Sequence, residues 1–245
     1  MQAILYVAHG TRVREGEQQA RQFIEKVQKK IPVGIQEISF LEISAPSVEQ
    51  GVVTCVGRGA TEIIVMPLLL LAAQHAKSDL PEILKRVRVT YPHIIFRLGT
   101  PIGINRTMID AVVEQLATVH FPHKAQIILI GRGSSDPDIQ RDFAEIASRV
   151  KLRTALRNIE IAFLYGAGPQ LSDVIEQNLD REDQLILVPY LLFTGLLNKG
   201  LLKIQEQSLR EVEITPLLGE MTHAMQGFEE NILQNLRHLS IKEVV

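Results

Sequence analysis

His9, Glu42 and His75 are the residues of this chain whose types and placement could do chemistry together. Each follows a short apolar run, with Ala3 to Ala8 before His9, Ile35 to Leu41 before Glu42, and the stretch from Glu62 to Leu70 ahead of His75. Two neutral imidazoles and one carboxylate suit a borderline divalent first-row metal such as iron, cobalt or nickel, with coordination positions left open for exchange. The same set is a candidate acid–base site, because an imidazole accepts a proton near neutral pH. A lone histidine at a strand end is more often a hydrogen-bonded loop residue than a ligand, and a lone glutamate is more often surface. Their shared place in the architecture sets these three apart.

The elements that must position them occur twice. Ala3-Ile4-Leu5-Tyr6-Val7-Ala8-His9-Gly10-Thr11 returns as Gln126-Ile127-Ile128-Leu129-Ile130-Gly131-Arg132-Gly133-Ser134. Glu37-Ile38-Ser39-Phe40-Leu41-Glu42 returns in the same register as Glu160-Ile161-Ala162-Phe163-Leu164-Tyr165. Val65-Met66-Pro67-Leu68-Leu69-Leu70-Leu71 aligns with Leu187-Val188-Pro189-Tyr190-Leu191-Leu192-Phe193, one residue out of that register. Self-similarity at a fixed period is the mark of internal duplication. The pairing puts Arg132 opposite His9, Tyr165 opposite Glu42 and Leu197 opposite His75, so all three candidate residues are lost from the second copy. One active site is therefore expected, in a first domain over residues 1–122. Residues 123–245 form a degenerate, substrate-holding copy, with the boundary inside residues 120–125.

Strands are predicted near residues 3–8, 35–41, 62–70 and 94–98, and again near 126–130, 159–164, 184–192 and 212–217. Several are apolar throughout, as in strands buried on both faces of a parallel sheet. Helical periodicity falls between them, near residues 14–30, 46–58, 79–91 and 105–119, with counterparts in the second half. Ser44, Asp79 and Asn105 read as starting caps, and Pro81 fits a first turn. The alternation calls for an α/β fold of two similar domains, each an open, mostly parallel sheet flanked by helices. Ligands of such sheets bind beyond the carboxyl ends of the strands, where His9, Glu42 and His75 would meet, and the active site is expected in the crevice between the domains.

Composition closes off other classes. A hydrophobic share of 46% over 245 residues supplies ample core, and no apolar run reaches membrane-spanning length. No export signal is visible at the start, which makes the cytoplasm the expected compartment. Cys55 is the only cysteine, so no internal disulfide framework exists, and its apolar surroundings predict a buried helix face. The net charge of −2 exerts no long-range pull on nucleic acid, and any anion must be held by local groups. A duplicated chain has little need of a second copy, and a monomer is expected.

At these residues the chain resembles the class II chelatases of tetrapyrrole biosynthesis, in the branch acting on sirohydrochlorin. The resemblance covers nearly the whole chain. It is carried by Val7-Ala8-His9-Gly10-Thr11-Arg12, by Gln36 to Glu42, by the stretch from Pro67 through His75 to Pro81, and by Ile130-Gly131-Arg132-Gly133-Ser134-Ser135-Asp136-Pro137. It implies a lyase that inserts Fe²⁺, or alternatively Co²⁺ or Ni²⁺, into sirohydrochlorin with release of two protons, the metal being a substrate and no cofactor being permanently bound. The iron reaction yields sirohaem and is favoured; a cobaltochelatase of cobalamin biosynthesis is the alternative. His9 and His75 would hold the metal, His9 would accept protons, Glu42 would contact substrate or metal, and Leu70, Leu71, Ala72, Ala73 and Gln74 would form the wall leading to His75.

Sirohydrochlorin carries eight carboxylates, so cations and backbone N–H donors should line its seat. Arg12, Lys77, Arg132 and Lys199 fall near the relevant strand ends, although solvated surface charge is the plain alternative for each lysine. Ser134 lies in a glycine-bearing turn ahead of a helix whose amino end could receive an anion. His93, His120, His123, His223 and His238 show no such order and read as surface or structural, except that His223, after the last strand of the second half, could reach the crevice. Two rivals come from other classes. A non-catalytic tetrapyrrole or metal carrier would use the same residues without turnover. A phosphate-handling enzyme with His9 as nucleophile lacks any P-loop or dinucleotide fingerprint.

Overall fold

The computed structural model describes residues 1–72, 78–122, 124–177, 184–208, 210–237 and 242–243. Its first sheet holds β1 (Gln2–Ala8), β2 (Ile35–Phe40), β3 (Glu62–Pro67), β4 (Ile95–Leu98) and β9 (Lys242–Glu243), ordered β2-β1-β3-β4-β9. All pair in parallel except β9, which runs antiparallel to β4. The second sheet holds β5 (Gln126–Gly131), β6 (Ile159–Phe163), β7 (Leu185–Pro189) and β8 (Val212–Ile214), ordered β6-β5-β7-β8 and parallel throughout. The registers repeat as well: Ile4 pairs with Gln36 and Ile64, and Ile127 pairs with Ile159 and Ile186. The duplication read from sequence is thus a duplication of strand order and register.

The apolar runs have a physical cause. β1 and β5 are each central in their sheet, and Ala3 to Ala8 and Ile127 to Ile130 are at most 3% exposed. A strand covered on both faces has no polar side to show. β3 and β7 stop at Pro67 and Pro189, short of the expected residues 70 and 192; one more bond follows each proline, Leu68 N to Val7 O and Tyr190 N to Ile130 O, both at 2.8 Å, and the chain then leaves the sheet. β9 was not expected; two residues carry no periodicity to read.

Helices alternate with the strands: α1 (Arg14–Gln28), α2 (Val48–Gly57), α3 (Leu80–Thr90), α4 (Arg106–Ala117), α5 (Pro137–Thr154), α6 (Leu171–Glu176), α7 (Leu196–Gln207) and α8 (Thr222–Leu236). Asn105 caps α4, its side chain accepting from Met108 N at 2.8 Å, and Pro81 sits in the first turn of α3, as expected. The cap of α2 is Ser47 rather than Ser44: Ser47 Oγ accepts from Gln50 N and Gln50 Oε1 accepts from Ser47 N, a reciprocal capping box. Cys55 lies on the buried face of α2, where burial, reinforced by Glu37 and opposed by Arg58, pushes its thiol up to about 12.

Two compact units emerge, but they exchange helices. Residues 1–103 pack with 225–245, and residues 104–224 form the other unit, in place of the expected 1–122 and 123–245. α4 belongs with the second sheet, since Gln115 Nε2 donates to the carbonyls of Pro189 (3.0 Å) and Pro216 (2.6 Å). Most of α8 returns to the first. Phe228 meets the rings of Tyr6 and Phe23 at 6.1 Å, and the side chains of Asn231 and Asn235 bond around Thr100 and Pro101. Where a helix docks depends on which sheet its apolar face matches, and the linker composition near residue 122 carries no such information.

His223 opens α8 and is occupied structurally. Glu114 on α4 accepts from the backbone N–H groups of Thr222 and His223, both at 3.0 Å, and its Oε2 lies 2.7 Å from His223 Nδ1. Burial pushes the Glu114 carboxyl up, but those hydrogen bonds and the imidazole outweigh it and hold the group below its ordinary 4.5. A carboxylate depressed in the folded state stabilises above its unfolded pKa and loses that contribution as pH falls through the folded value. Glu114→Gln is therefore expected to lower stability by about 1 kcal/mol at pH 7. In denaturant titrations the gap to wild type should narrow below pH 4.5; a gap independent of pH would refute the linkage.

Candidate active site

His9 and Glu42 meet just beyond the carboxyl ends of adjacent strands. β1 and β2 end at Ala8 and Phe40, yet their pairing continues, with Leu41 N donating to Ala8 O at 2.9 Å and Glu42 N to His9 O at 3.1 Å. That pairing sets the side chains side by side, and His9 Nδ1 lies 3.2 Å from Glu42 Oε1. The imidazole side chain is 31% exposed and the carboxylate 48%, so the pair is partly withdrawn from water and still open to a ligand.

The approach of the two loops is set by Gly10. Its φ is +93°, and a Cβ placed there would overlap the carbonyl oxygen of Glu42 and stand 3.0 Å from the carbonyl carbon. Only glycine combines that conformation with that proximity. After Glu42 the chain reverses sharply: Ser44 N donates to Glu42 O at 2.6 Å around Ile43, whose φ is +66°. Ser44 Oγ bonds both the N–H and the carbonyl of Thr11, at 3.3 Å each, locking the turn to the loop after His9.

The second unit repeats this frame with other side chains. Leu164 N donates to Gly131 O and Tyr165 N to Arg132 O, at 3.1 and 3.0 Å. Gly133, at φ +91°, passes against the carbonyl of Tyr165 as Gly10 does against Glu42. Arg132 and Tyr165 therefore hold the places of His9 and Glu42 on an equivalent edge, and both are exposed. Sequence reading overlooked Gly10 as a site residue, although the glycine's recurrence at Gly133 in the repeat was the available signal.

The other expected residues divide. Leu70 and Leu71 are half-buried and Ala72 is exposed, just past β3; the carbonyls of Leu69 and Leu70 accept from Ile102 N and Gly103 N at 2.9 Å, which anchors the start of this segment. Ala73, Gln74, His75 and Lys77 lie outside the described residues. Among the described residues, no group of three metal-ligating side chains gathers. Arg12 is exposed in the loop after β1, and Lys199 is exposed on the first turn of α7.

Ser134 Oγ accepts from Asp136 N at 3.1 Å and so serves the turn into α5. The amino end of that helix is no empty anion seat. Asp136 accepts from Asp138 N at 3.0 Å and Asp138 adds a second carboxylate in the first turn, so negative charge already answers the helix dipole there.

Among the described residues, no helix is long and apolar enough to cross a membrane. Comparison with known proteins agrees with the frame. A sirohydrochlorin ferrochelatase of Bacillus subtilis is 44% identical over 199 residues, covering 80% of this chain and 76% of that protein. A sirohydrochlorin cobaltochelatase of Priestia megaterium is 32% identical over 84% of this chain and 69% of its own. The solved structure of SirB from Bacillus subtilis with Fe³⁺ superposes with a TM-score of 0.87 at 38% identity, covering 98% of both chains. Matched twice by one family model, over residues 3–119 and again over 126–235, the chain belongs to the CbiX family.

Proposed function

We propose that the protein is a sirohydrochlorin ferrochelatase, a lyase that inserts Fe²⁺ into sirohydrochlorin to give sirohaem and two protons. The observation that carries this reading is the His9–Glu42 pair, 3.2 Å apart on a strand-end edge, in a chain 44% identical to a protein named for that reaction. Insertion requires a partly dehydrated metal, a base near the inner N–H groups and a seat for the macrocycle.

His9 and His75 hold the metal in this reading. Nδ1 of His9 lies beside the Glu42 carboxylate, and a carboxylate next to a ligating imidazole orients the ring and raises its strength as a ligand. Two protein ligands plus water bind weakly enough to release the metal to a better chelator, where a closed four-ligand site would trap it. As the metal passes to the ring, His9 or Glu42 accepts the displaced protons, as positioned acid–base work rather than covalent catalysis. Arg12, Arg132 and Ser134 contact the carboxylate rim, and Leu70, Leu71, Ala72, Ala73 and Gln74 form the wall beside His75. Both halves of the duplication are in one chain, which supports a monomer.

An anaerobic absorbance time course tests the reading, with sirohydrochlorin, catalytic amounts of protein and either Fe²⁺ or Co²⁺, against a His9→Ala, His75→Ala double variant. Turnover by wild type alone, faster with Fe²⁺, is expected. Faster turnover with Co²⁺ would favour the second reading, cobaltochelatase, which the 32% identity to the Priestia megaterium enzyme supports. Stoichiometric binding without turnover would make the protein a carrier, and no interaction at all would overturn the assignment. Arg132→Ala should raise KM for sirohydrochlorin about tenfold, as loss of a charge-assisted contact would, with metal dependence unchanged. An unaltered KM would remove the second half from substrate holding.

A further inference from the structure

Ile43 has a backbone conformation that its side chain disfavours and an exposure that packing does not explain. Its φ of +66° is in the left-handed region, an outlier for a β-branched residue, and it sits at the centre of a three-residue turn closed by Ser44 N and Glu42 O. Among the described residues only Ala155 is another non-glycine with positive φ, and that residue ends a helix, where a left-handed residue is ordinary. Ile43 ends no helix, and it is 59% exposed.

The repeat shows that the fold itself does not require the side chain. The equivalent position after Tyr165 is Gly166, with φ +79°, a conformation that glycine adopts at no steric cost, although there Ala167 N donates to Ser134 O instead of closing back on Tyr165 O. In the copy with His9 and Glu42, the reversal is imposed on an isoleucine by its surroundings. Glu42 N bonds His9 O, Ser44 bonds Thr11, Phe40 N bonds Pro46 O, and the Arg21 guanidinium donates to Ala45 O. Strain held in place this way, beside a reactive pair, points from the outlier to a role in that site.

We propose that Ile43 is a substrate-contact residue: its side chain is an apolar seat for the face of the tetrapyrrole ring, setting the height of the inner nitrogens relative to His9 and Glu42. This rests on the chelatase reading. A flat conjugated ring with charge confined to its rim needs an apolar support next to the base, and Ile43 is joined to Glu42 by one peptide bond. Covering it returns an exposed apolar side chain to a dry contact.

The test compares wild type, Ile43→Gly and Ile43→Val by thermal melting, by titration of metal-free sirohydrochlorin and by steady-state kinetics with Fe²⁺. Ile43→Gly is expected to melt no lower than wild type while its Kd for sirohydrochlorin and its KM rise about tenfold, with kcat changed much less. Ile43→Val, which keeps an apolar β-branched side chain, should bind within about twofold of wild type, a difference of one methylene. Unchanged affinity in Ile43→Gly would overturn the proposal, and so would a marked fall in its melting temperature, which would make Ile43 a structural residue. Wild type that neither binds nor metallates sirohydrochlorin would instead overturn the chelatase reading itself.

Discussion

His9→Ala is expected to lower turnover of sirohydrochlorin by ~10²- to 10⁴-fold, the range that a positioned proton-transfer group supplies. The side chain is 31% exposed and follows the strand, so its removal leaves no cavity in the sheet and the melting temperature should move little. Glu42→Gln keeps the shape and removes the charge beside His9 Nδ1; a partner that orients a ligand is worth ~10- to 100-fold, so its loss should be the smaller of the two. Initial rates measured anaerobically at saturating Fe²⁺, with melting curves on the same samples, decide the matter. A His9→Ala protein within threefold of wild type would remove His9 from the chemistry, and a Glu42→Gln defect larger than that of His9→Ala would shift the base to the carboxylate.

Gly10→Ala should damage the site without touching a reactive atom. The added methyl group overlaps the Glu42 carbonyl oxygen, and the backbone at φ +93° is itself unfavourable for alanine. The loops after β1 and β2 must then separate, which breaks the bond from Glu42 N to His9 O and draws the carboxylate away from the imidazole. Strain of this kind is worth roughly 1–3 kcal/mol and the displaced bond about 1 kcal/mol more. Gly133→Ala is the matched control, because its methyl group overlaps the Tyr165 carbonyl in the same frame. Both variants should melt several degrees below wild type. At saturating sirohydrochlorin, where an effect of Gly133→Ala on substrate binding through Arg132 is not read, metallation per folded molecule should fall at least tenfold in Gly10→Ala alone, since a 1 Å misplacement in a site can cost ~10²-fold. Equal activity losses in the two variants would mean that the Gly10 effect is global destabilisation.

How much was legible in the sequence varied with the range of the forces involved. β1, β3, β5 and β7 could be read because strands covered on both faces must be apolar at nearly every position. Asn105 and Pro81 could be read because caps and first turns act within a few residues. Ser44 was a near miss for the same reason inverted: it lies close enough to α2 to look like the cap, but its hydroxyl is taken by Thr11 across the turn, and Ser47 starts the helix. His223 and Glu114 are remote in sequence, and nothing local to either announces that one opens a helix and the other caps it.

By itself the sequence determined that the chain is a duplicated α/β protein with candidate ligands at strand ends in one copy only, because burial periodicity and repetition are written residue by residue. The tertiary structure decided the rest. Helices α4 and α8 are exchanged between the compact units, the His9–Glu42 distance is set by continued β1–β2 pairing, and Gly10 and Ile43 are forced to positive φ by backbone from a different loop. Each of these depends on contacts between segments distant in the chain, whose energies come from close packing and backbone hydrogen bonds that no single segment can specify alone.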